Sequence, residues 1–349
     1  MSETGIVAET AERIFADLGD PQDVNRVKDG SWKDPLWRAL ADAGLTLAWV
    51  PEQHGGAGAD IADGFAILSV AGRYAVGVPL AETLLAGWLV SRARLAAPDG
   101  AMTVAPARPG DRITLNADGT LSGRARAIPF AKEVRHIAVL AGRSVALVDA
   151  TACRISDGAS LAGEPLNTVT FDGVRPLQVA ATPEGFDQTA LMLMGCAVRS
   201  VETAGALEAV LDLTVRYAND RVAFERPIAK FQAVQHNLAR LAGEVAAALT
   251  ASGSAADAIA NADGFDNGVF LEATAAKIRS AEAAQEGAAI AHQVHGAIGF
   301  TSEHVLHRYT LRMLAWRDDF GNESHWAVAL GNRIAARGAD EFWPLIAAR

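Results

Sequence analysis

Cysteine is almost missing from this sequence. Cys153 and Cys196 are the only two among 349 residues, too few and too far apart for a disulfide framework, so a reducing compartment is expected. Long hydrophobic runs are missing as well. Half of the residues are apolar, yet no stretch reads as the unbroken segment that a membrane span needs. Met1 to Asp20 carries Glu3, Glu9 and Glu12 and lacks the basic and apolar blocks of a secretory signal. A soluble, cytoplasmic protein is the expectation. Positive charge is in deficit, with 31 Lys and Arg against 41 Asp and Glu and a net charge of -10. That balance repels polyanions at long range and argues against general binding to nucleic acid or acidic membranes. It leaves room for a local basic pocket for one phosphorylated ligand.

Familiar chemical motifs are absent too. The sequence has no Gly-x-Ser-x-Gly elbow, no phosphate loop ending in Gly-Lys-Ser/Thr and no Gly-rich dinucleotide turn after a strand. His292 and His295 stand three apart, but a zinc site needs a third ligand and no spacing supplies one, so no metal is expected.

What is present is pattern. The length suits two or three subdomains. Residues 1–98 read as helices (8–18, 37–43, 60–73 and 81–95), interrupted by the loop VPEQHGGAG at 50–58, whose Pro51, Gly55, Gly56 and Gly58 fit no helix or strand interior. Residues 99–185 change to short alternating segments at 112–115, 120–128, 136–141, 144–148, 168–171 and 177–180, with an Asn116 to Gly119 turn, which predicts a small antiparallel sheet or barrel. Residues 186–349 return to helix, at about 188–223, 229–258, 267–297 and 322–336 with a short segment near the end. The expected fold is mainly α, with a helical N-terminal domain, a small antiparallel middle β domain and a C-terminal four-helix bundle.

Three stretches carry chemistry-bearing residues. RVAFERPIAKFQ, from Arg221 to Gln232, sets cations, an aromatic and an amide at the end of a long helix, with Pro227 placing a turn between Phe224 and Ile228. Arg221 and Arg226 there are either anion grips or the solvated ends of a helix connector. QVHGAIGF ends a helix with Gly296 and Gly299, which free the backbone to approach a bulky ligand. RDDFGNE places Asp318, Asp319 and Glu323 around Phe320 and Gly321, and it also reads as a loop opening the next helix with Asn322 as its cap.

Together VPEQHGGAG, RVAFERPIAKFQAVQHNLA and QVHGAIGFTSEHVLHRY, in this order and spacing over nearly the whole chain, resemble the acyl-CoA dehydrogenase family. The resemblance implies flavoproteins that bind FAD between the middle sheet and the C-terminal helices, partly across a subunit interface, and that remove two hydrogens from the α and β carbons of an acyl-CoA. A carboxylate takes the α-proton in such a reaction and flavin takes the β-hydride. The resemblance also implies a homo- or hetero-oligomer, dimer or tetramer, and an electron-transfer flavoprotein as acceptor. Carried over by position, Arg221 matches the arginine gripping the FAD diphosphate from a neighbouring subunit, with Phe224 and Gln232 beside it. Gln293 and Gly296 match the facing contacts, and Asn322 is a further cofactor contact. A guanidinium suits this role because its fixed fork of donors binds phosphate oxygens in pairs and stays charged.

The departures are as informative. The position of the family's catalytic glutamate is Phe320, which cannot take a proton. The alternative base position, on the helix leading to Arg221, falls on Gly195 or Cys196. The flavin-ring segment reads Ala127-Ile128-Pro129, the serine-rich loop is replaced by VAPARPGD, the glycine after Phe224 is Glu225, and the family's Arg-Asp pair is most nearly matched by Arg308-Tyr309. Two readings follow. In one the chain is itself a dehydrogenase and Asp319, or else Asp318 or Glu323, serves as base. In the other it is a non-catalytic partner that lends FAD contacts to a complete dehydrogenase subunit, as in the mixed assemblies that some family members form on bulky substrates such as steroid side chains.

Overall fold

The computed structural model describes residues 3–347. Helices α1 (Glu3–Leu18), α2 (Pro21–Arg26), α3 (Lys33–Asp42), α4 (Ile61–Tyr74) and α5 (Leu80–Arg92) form the first unit. Their starts follow from local chemistry: Asp20 accepts from the amides of Gln22 and Asp23 ahead of α2, and Pro21 takes its first position, where a missing N–H does no harm. The 50–58 loop closes under Trp49, whose indole donates to the Ile61 carbonyl.

Next come β1 (Met102–Ala105), β2 (Arg112–Leu115), β3 (Leu121–Pro129), β4 (His136–Ala141), β5 (Ser144–Asp149), β6 (Arg154–Ser156), β7 (Leu166–Val174) and β8 (Gln178–Ala181). They form two four-stranded sheets, ordered β1-β4-β5-β8 and β2-β3-β7-β6. The expectation of antiparallel pairing needs one correction, since β1 runs parallel to β4. β4 is buried along its whole length, whereas β7 alternates, as strands covered on both faces and on one face do. β3 carries an irregularity between Ala125 and Ile128, with Ala127 in the left-handed region at φ 52°.

The last unit holds α6 (Gln188–Asp220), a two-residue ladder of β9 (Val222–Ala223) and β10 (Arg226–Pro227), α7 (Gln232–Asn261), α8 (Asn267–His295), α9 (Leu306–Trp316), α10 (Glu323–Arg337) and α11 (Phe342–Ala347). α6 is long and apolar enough to cross a membrane by composition, yet that stretch is wholly buried inside the protein. α6 packs on α4, α7 and α8 and so joins the helical units. Neither α2 nor α9 was expected from the sequence.

Candidate functional site

α6 carries charge into the interior. Arg199 is 4% exposed and meets three carboxylates. Its Nη1 donates to Glu202 Oε2 at 2.6 Å, its Nε to Asp319 Oδ2 at 2.9 Å, and its Nη2 to Glu82 on α5. Trp316 lies 5.7 Å from the guanidinium carbon, measured to its ring centroid. Each partner comes from a different part of the chain, except Glu202, one turn along α6. Three carboxylates on one arginine cannot all ionise comfortably without water. Burial pushes Glu82 up from the ordinary range and Glu202 up to about 7, against the pull of Arg199. Lys277, also buried, gives its ammonium to the Trp316 carbonyl at 2.7 Å.

This cluster lines the pocket between α5, α6, the ends of β3 and β7 and the α9 end, together with Pro129, Phe130 and Trp316. The cavity has a volume of only about 30 Å³, space for a water and far short of the few hundred Å³ of a ligand pocket. The two positions expected to carry a base pack against each other. A methyl group added at Gly195 would overlap the Phe320 ring, so that ring lies directly on the α6 backbone. Cys196 Sγ contacts the Phe320 carbonyl at 3.6 Å, and burial pushes the thiol up to about 12, which keeps it protonated. Phe320 is held at φ 57°, with its N–H on the Ala107 carbonyl and its carbonyl accepting from the Trp326 indole.

The candidate bases are placed as follows. Asp319 is inside, bound to Arg199. Asp318 is exposed, in a cleft of about 380 Å³ with Arg108, Arg126, Gly321, Asn322 and His325. Glu323 pairs with Arg317. Asn322 accepts from the His325 amide at 2.9 Å, capping α10 as its sequence suggests, while it lines that same cleft. Arg108, in the loop that replaces the serine-rich segment, is a cation facing this cleft that motif matching does not single out.

The expected cofactor contacts lie on the outside in two groups. Arg221 terminates α6 and is exposed, Phe224 is 89% exposed at the tip of the ladder, and Gln232 is exposed at the first turn of α7. Phe224 and Glu225 both adopt positive φ, 50° and 66°, so the family's usual glycine is replaced in a conformation that favours glycine. Arg226 stacks on Phe231 at 4.2 Å. The second group, Gln293 and Gly296, lines an open groove of about 560 Å³ with Ala288, His292 and Phe300. Gly296, at φ 65°, has nothing near the place a Cβ would occupy.

Comparison with known proteins agrees with this architecture. The acyl-CoA dehydrogenase N-terminal domain matches residues 2–93, and the acyl-CoA dehydrogenase C-terminal domain matches residues 184–325. Acyl-CoA dehydrogenase IpdE2 of Mycobacterium tuberculosis is 30% identical, covering 89% of this chain and 90% of its own length. The chain belongs to the acyl-CoA dehydrogenase family. It is an acyl-CoA dehydrogenase-type oxidoreductase, of a family of FAD-dependent enzymes, as the three motifs led one to expect. Among solved structures, the ChsE4-ChsE5 complex from Mycobacterium tuberculosis superposes with a TM-score of 0.85 at 22% identity, covering 96% of this chain and 98% of that one. A variant of the Tcur3481-Tcur3483 steroid acyl-CoA dehydrogenase gives 0.84 at 25% identity with the same coverage. Within this acyl-CoA dehydrogenase frame, the buried Arg199 cluster and the Phe320 to Gly195 contact occupy the interior.

Proposed function

We propose that this chain serves the α,β-dehydrogenation of an acyl-CoA thioester as the partner subunit of a two-chain assembly, completing a flavin site whose catalytic half lies on a second acyl-CoA dehydrogenase chain. The observation that carries this reading is the contrast in accessibility. The interior pocket beside Arg199 holds about 30 Å³ and Phe320 packs on Gly195 where a base would stand, while every residue carried over as a flavin contact except Asn322 is exposed.

These outer residues fit part of the cofactor. Arg221 offers a charged fork to a diphosphate, Phe224 a flat apolar face, Gln232 and Gln293 amides, and Gly296 bare backbone. FAD, when bound, supplies the acceptor for the substrate's β-hydride. The interior does not fit the remainder, because Ile128 and Pro129 are buried and the cavity that Pro129 lines has room for about one water. This chain's own residues therefore bind and orient: Arg221 neutralises the diphosphate, and the ladder at 222–227 reaches outward to a neighbour. Asp319 could take an α-proton only after leaving Arg199, which would strip a buried cation of one of its partners. The mixed composition of the Tcur3481-Tcur3483 steroid enzyme supports an assembly of two different chains and a bulky acyl group. The setting is then cytoplasmic degradation of a fatty-acid or steroid side chain, with an electron-transfer flavoprotein as acceptor.

The test is spectroscopic. The purified chain should be colourless alone and should yield yellow protein when co-expressed with the acyl-CoA dehydrogenase encoded beside it. A chain that is yellow by itself and bleaches with an acyl-CoA would instead be a complete enzyme.

A further inference from the structure

Four histidines meet where α8 ends. His295, 3% exposed, stacks on Tyr217 of α6 at 4.4 Å and tilts against His304 at 4.7 Å. His292, one turn earlier, stacks on Phe300 at 4.3 Å, and both of these rings line the groove that holds Gln293 and Gly296. The 3-10 turn Gly296–Phe300 is pressed onto the same pair: a Cβ at Gly299 would stand 3.0 Å from the His295 Cβ and 3.1 Å from His292 Nδ1.

The hydrogen bonds assign a neutral tautomer to each ring. Thr310 Oγ1 donates to the Leu306 carbonyl at 3.3 Å and so accepts from His292 Nε2 at 3.0 Å, which leaves His292 Nδ1 without a proton. His295 Nδ1 donates to the Ala291 carbonyl at 2.8 Å, and His307 Nδ1 to the His304 carbonyl at 2.6 Å. His304 Nδ1 accepts from the amide of Leu306, the first residue of α9, at 3.2 Å. A second proton is badly placed on three of these rings. His292 Nδ1 and His295 Nε2 are buried with no hydrogen-bond partner, so an N–H there would meet no acceptor. On His304 the new N–H would oppose the Leu306 N–H and set a cation at a helix N-terminus. No carboxylate compensates: His292, His295 and His304 feel only other histidines, and the exposed Glu303 acts on none of the three. Lys28, Arg308 and Arg312 act on His307, all as cations. Tyr217 gives its hydroxyl to the His295 carbonyl at 3.2 Å.

We propose that His292, His295 and His304 form a pH-sensitive latch, which holds the Gly296–Phe300 turn and the adjoining wall of the groove closed at neutral pH and releases them in acid. In the open turn the rings are solvated and titrate near pH 6.5. Opening is therefore independent of pH above that value and becomes easier below it, about tenfold at pH 5.5 for each ring that is neutral when closed and protonated when open. The latch belongs to the groove itself and holds whether or not a flavin fills it, so its failure leaves the function proposed above untouched.

Hydrogen exchange of the full chain at pH 7.5 and 5.5, corrected for the intrinsic pH dependence of amides, tests it. Protection of residues 296–305 should fall at least about tenfold at the lower pH, the share of one ring, while β4 keeps its protection. Three substitutions preserve the hydrogen bonds without the titration: His292→Gln keeps a donor for Thr310, His295→Asn one for the Ala291 carbonyl, and His304→Asn an acceptor for the Leu306 amide. The triple variant should lose most of the response, to under about twofold. Imidazole resonances of the wild type need no substitution, and all three rings should remain neutral at pH 6. Equal protection at the two pH values, an equal loss in β4, an undiminished response in the folded triple variant, or half-protonation of the three rings at or above pH 6.5 would overturn the proposal.

Discussion

Glu82, Arg199, Glu202 and Asp319 lie in the interior with at most 7% of any of them exposed, while Phe224, on the ladder that carries the longest motif, is 89% exposed. The inner region has the chemistry of an active site, with carboxylates, an arginine and one group near neutral pH, and no space. The outer region has space and few side-chain bonds: Arg221 makes no side-chain hydrogen bond or ion pair among the described residues, and Phe224 meets only the edge of Phe231 at 6.2 Å. Polar groups that satisfy one another inside are structural, and polar groups left open outside await a ligand or a neighbouring chain. The difference separates scaffold from contact surface within one family fold.

The comparison can be broken hardest at Arg199. Arg199→Met leaves three buried carboxylates without their cation, and breaking a buried ionic cluster from one side costs about 3–5 kcal/mol. Urea unfolding should show that loss. A change under 1 kcal/mol would mean the cluster is solvated. On the outer face, Arg221→Ala should weaken FAD binding by the assembly about ten- to a hundredfold, the worth of one charged hydrogen-bonding group, with no change in the melting point of the isolated chain. If the variant chain alone melts lower, Arg221 is part of the scaffold.

A smaller effect is expected at the strained ladder. Glu225→Gly removes a side chain from φ 66° and should stabilise the chain by about 0.5–1 kcal/mol, the left-handed penalty less the extra chain entropy of glycine. An unchanged denaturation midpoint would show that the ladder relaxes freely in solution. Between the two regions lies a histidine corner: His295 stacks on Tyr217 at 4.4 Å and tilts against His304 at 4.7 Å, with His292 and His307 nearby. All four are lowered, chiefly by burial. The neutral rings are therefore favoured in the fold, and their stabilisation is complete above about pH 6.5 and lost as pH falls below it. The wild type should lose melting temperature between pH 7.5 and 5.5 more steeply than His295→Asn, and parallel curves would exclude this corner as the cause. The smallest effect belongs to Asp319→Asn, which should leave turnover by the assembly unchanged. A large loss would restore Asp319 as a base.

Much of this could be read from the sequence, and what could not has a physical reason. The long helices announce themselves through their apolar period, and the Asn116 to Gly119 turn through its Asp-Gly pair. α9 does not, because its buried face includes Tyr309, Thr310 and Arg312, which an apolar count discards. β1 is four residues long and pairs in parallel with a strand more than thirty positions on, so no hairpin signal marks it. Of the Arg199 cluster only the Arg199 to Glu202 spacing is local. Glu82 and Asp319 join it through tertiary packing, and on the sequence the α6 charges read as ordinary punctuation of a helix. The loss of a carboxylate at Phe320 was legible, whereas its consequence, a ring pressed onto Gly195, required the fold.

Counting flavins tests the central claim most directly. In the purified two-chain assembly, absorbance of released flavin against protein mass should give one FAD for each pair of chains, falling when Arg221 is replaced by alanine. One FAD per chain, insensitive to that replacement, would contradict the account, because the closed interior of this chain would then have to open and hold a cofactor of its own.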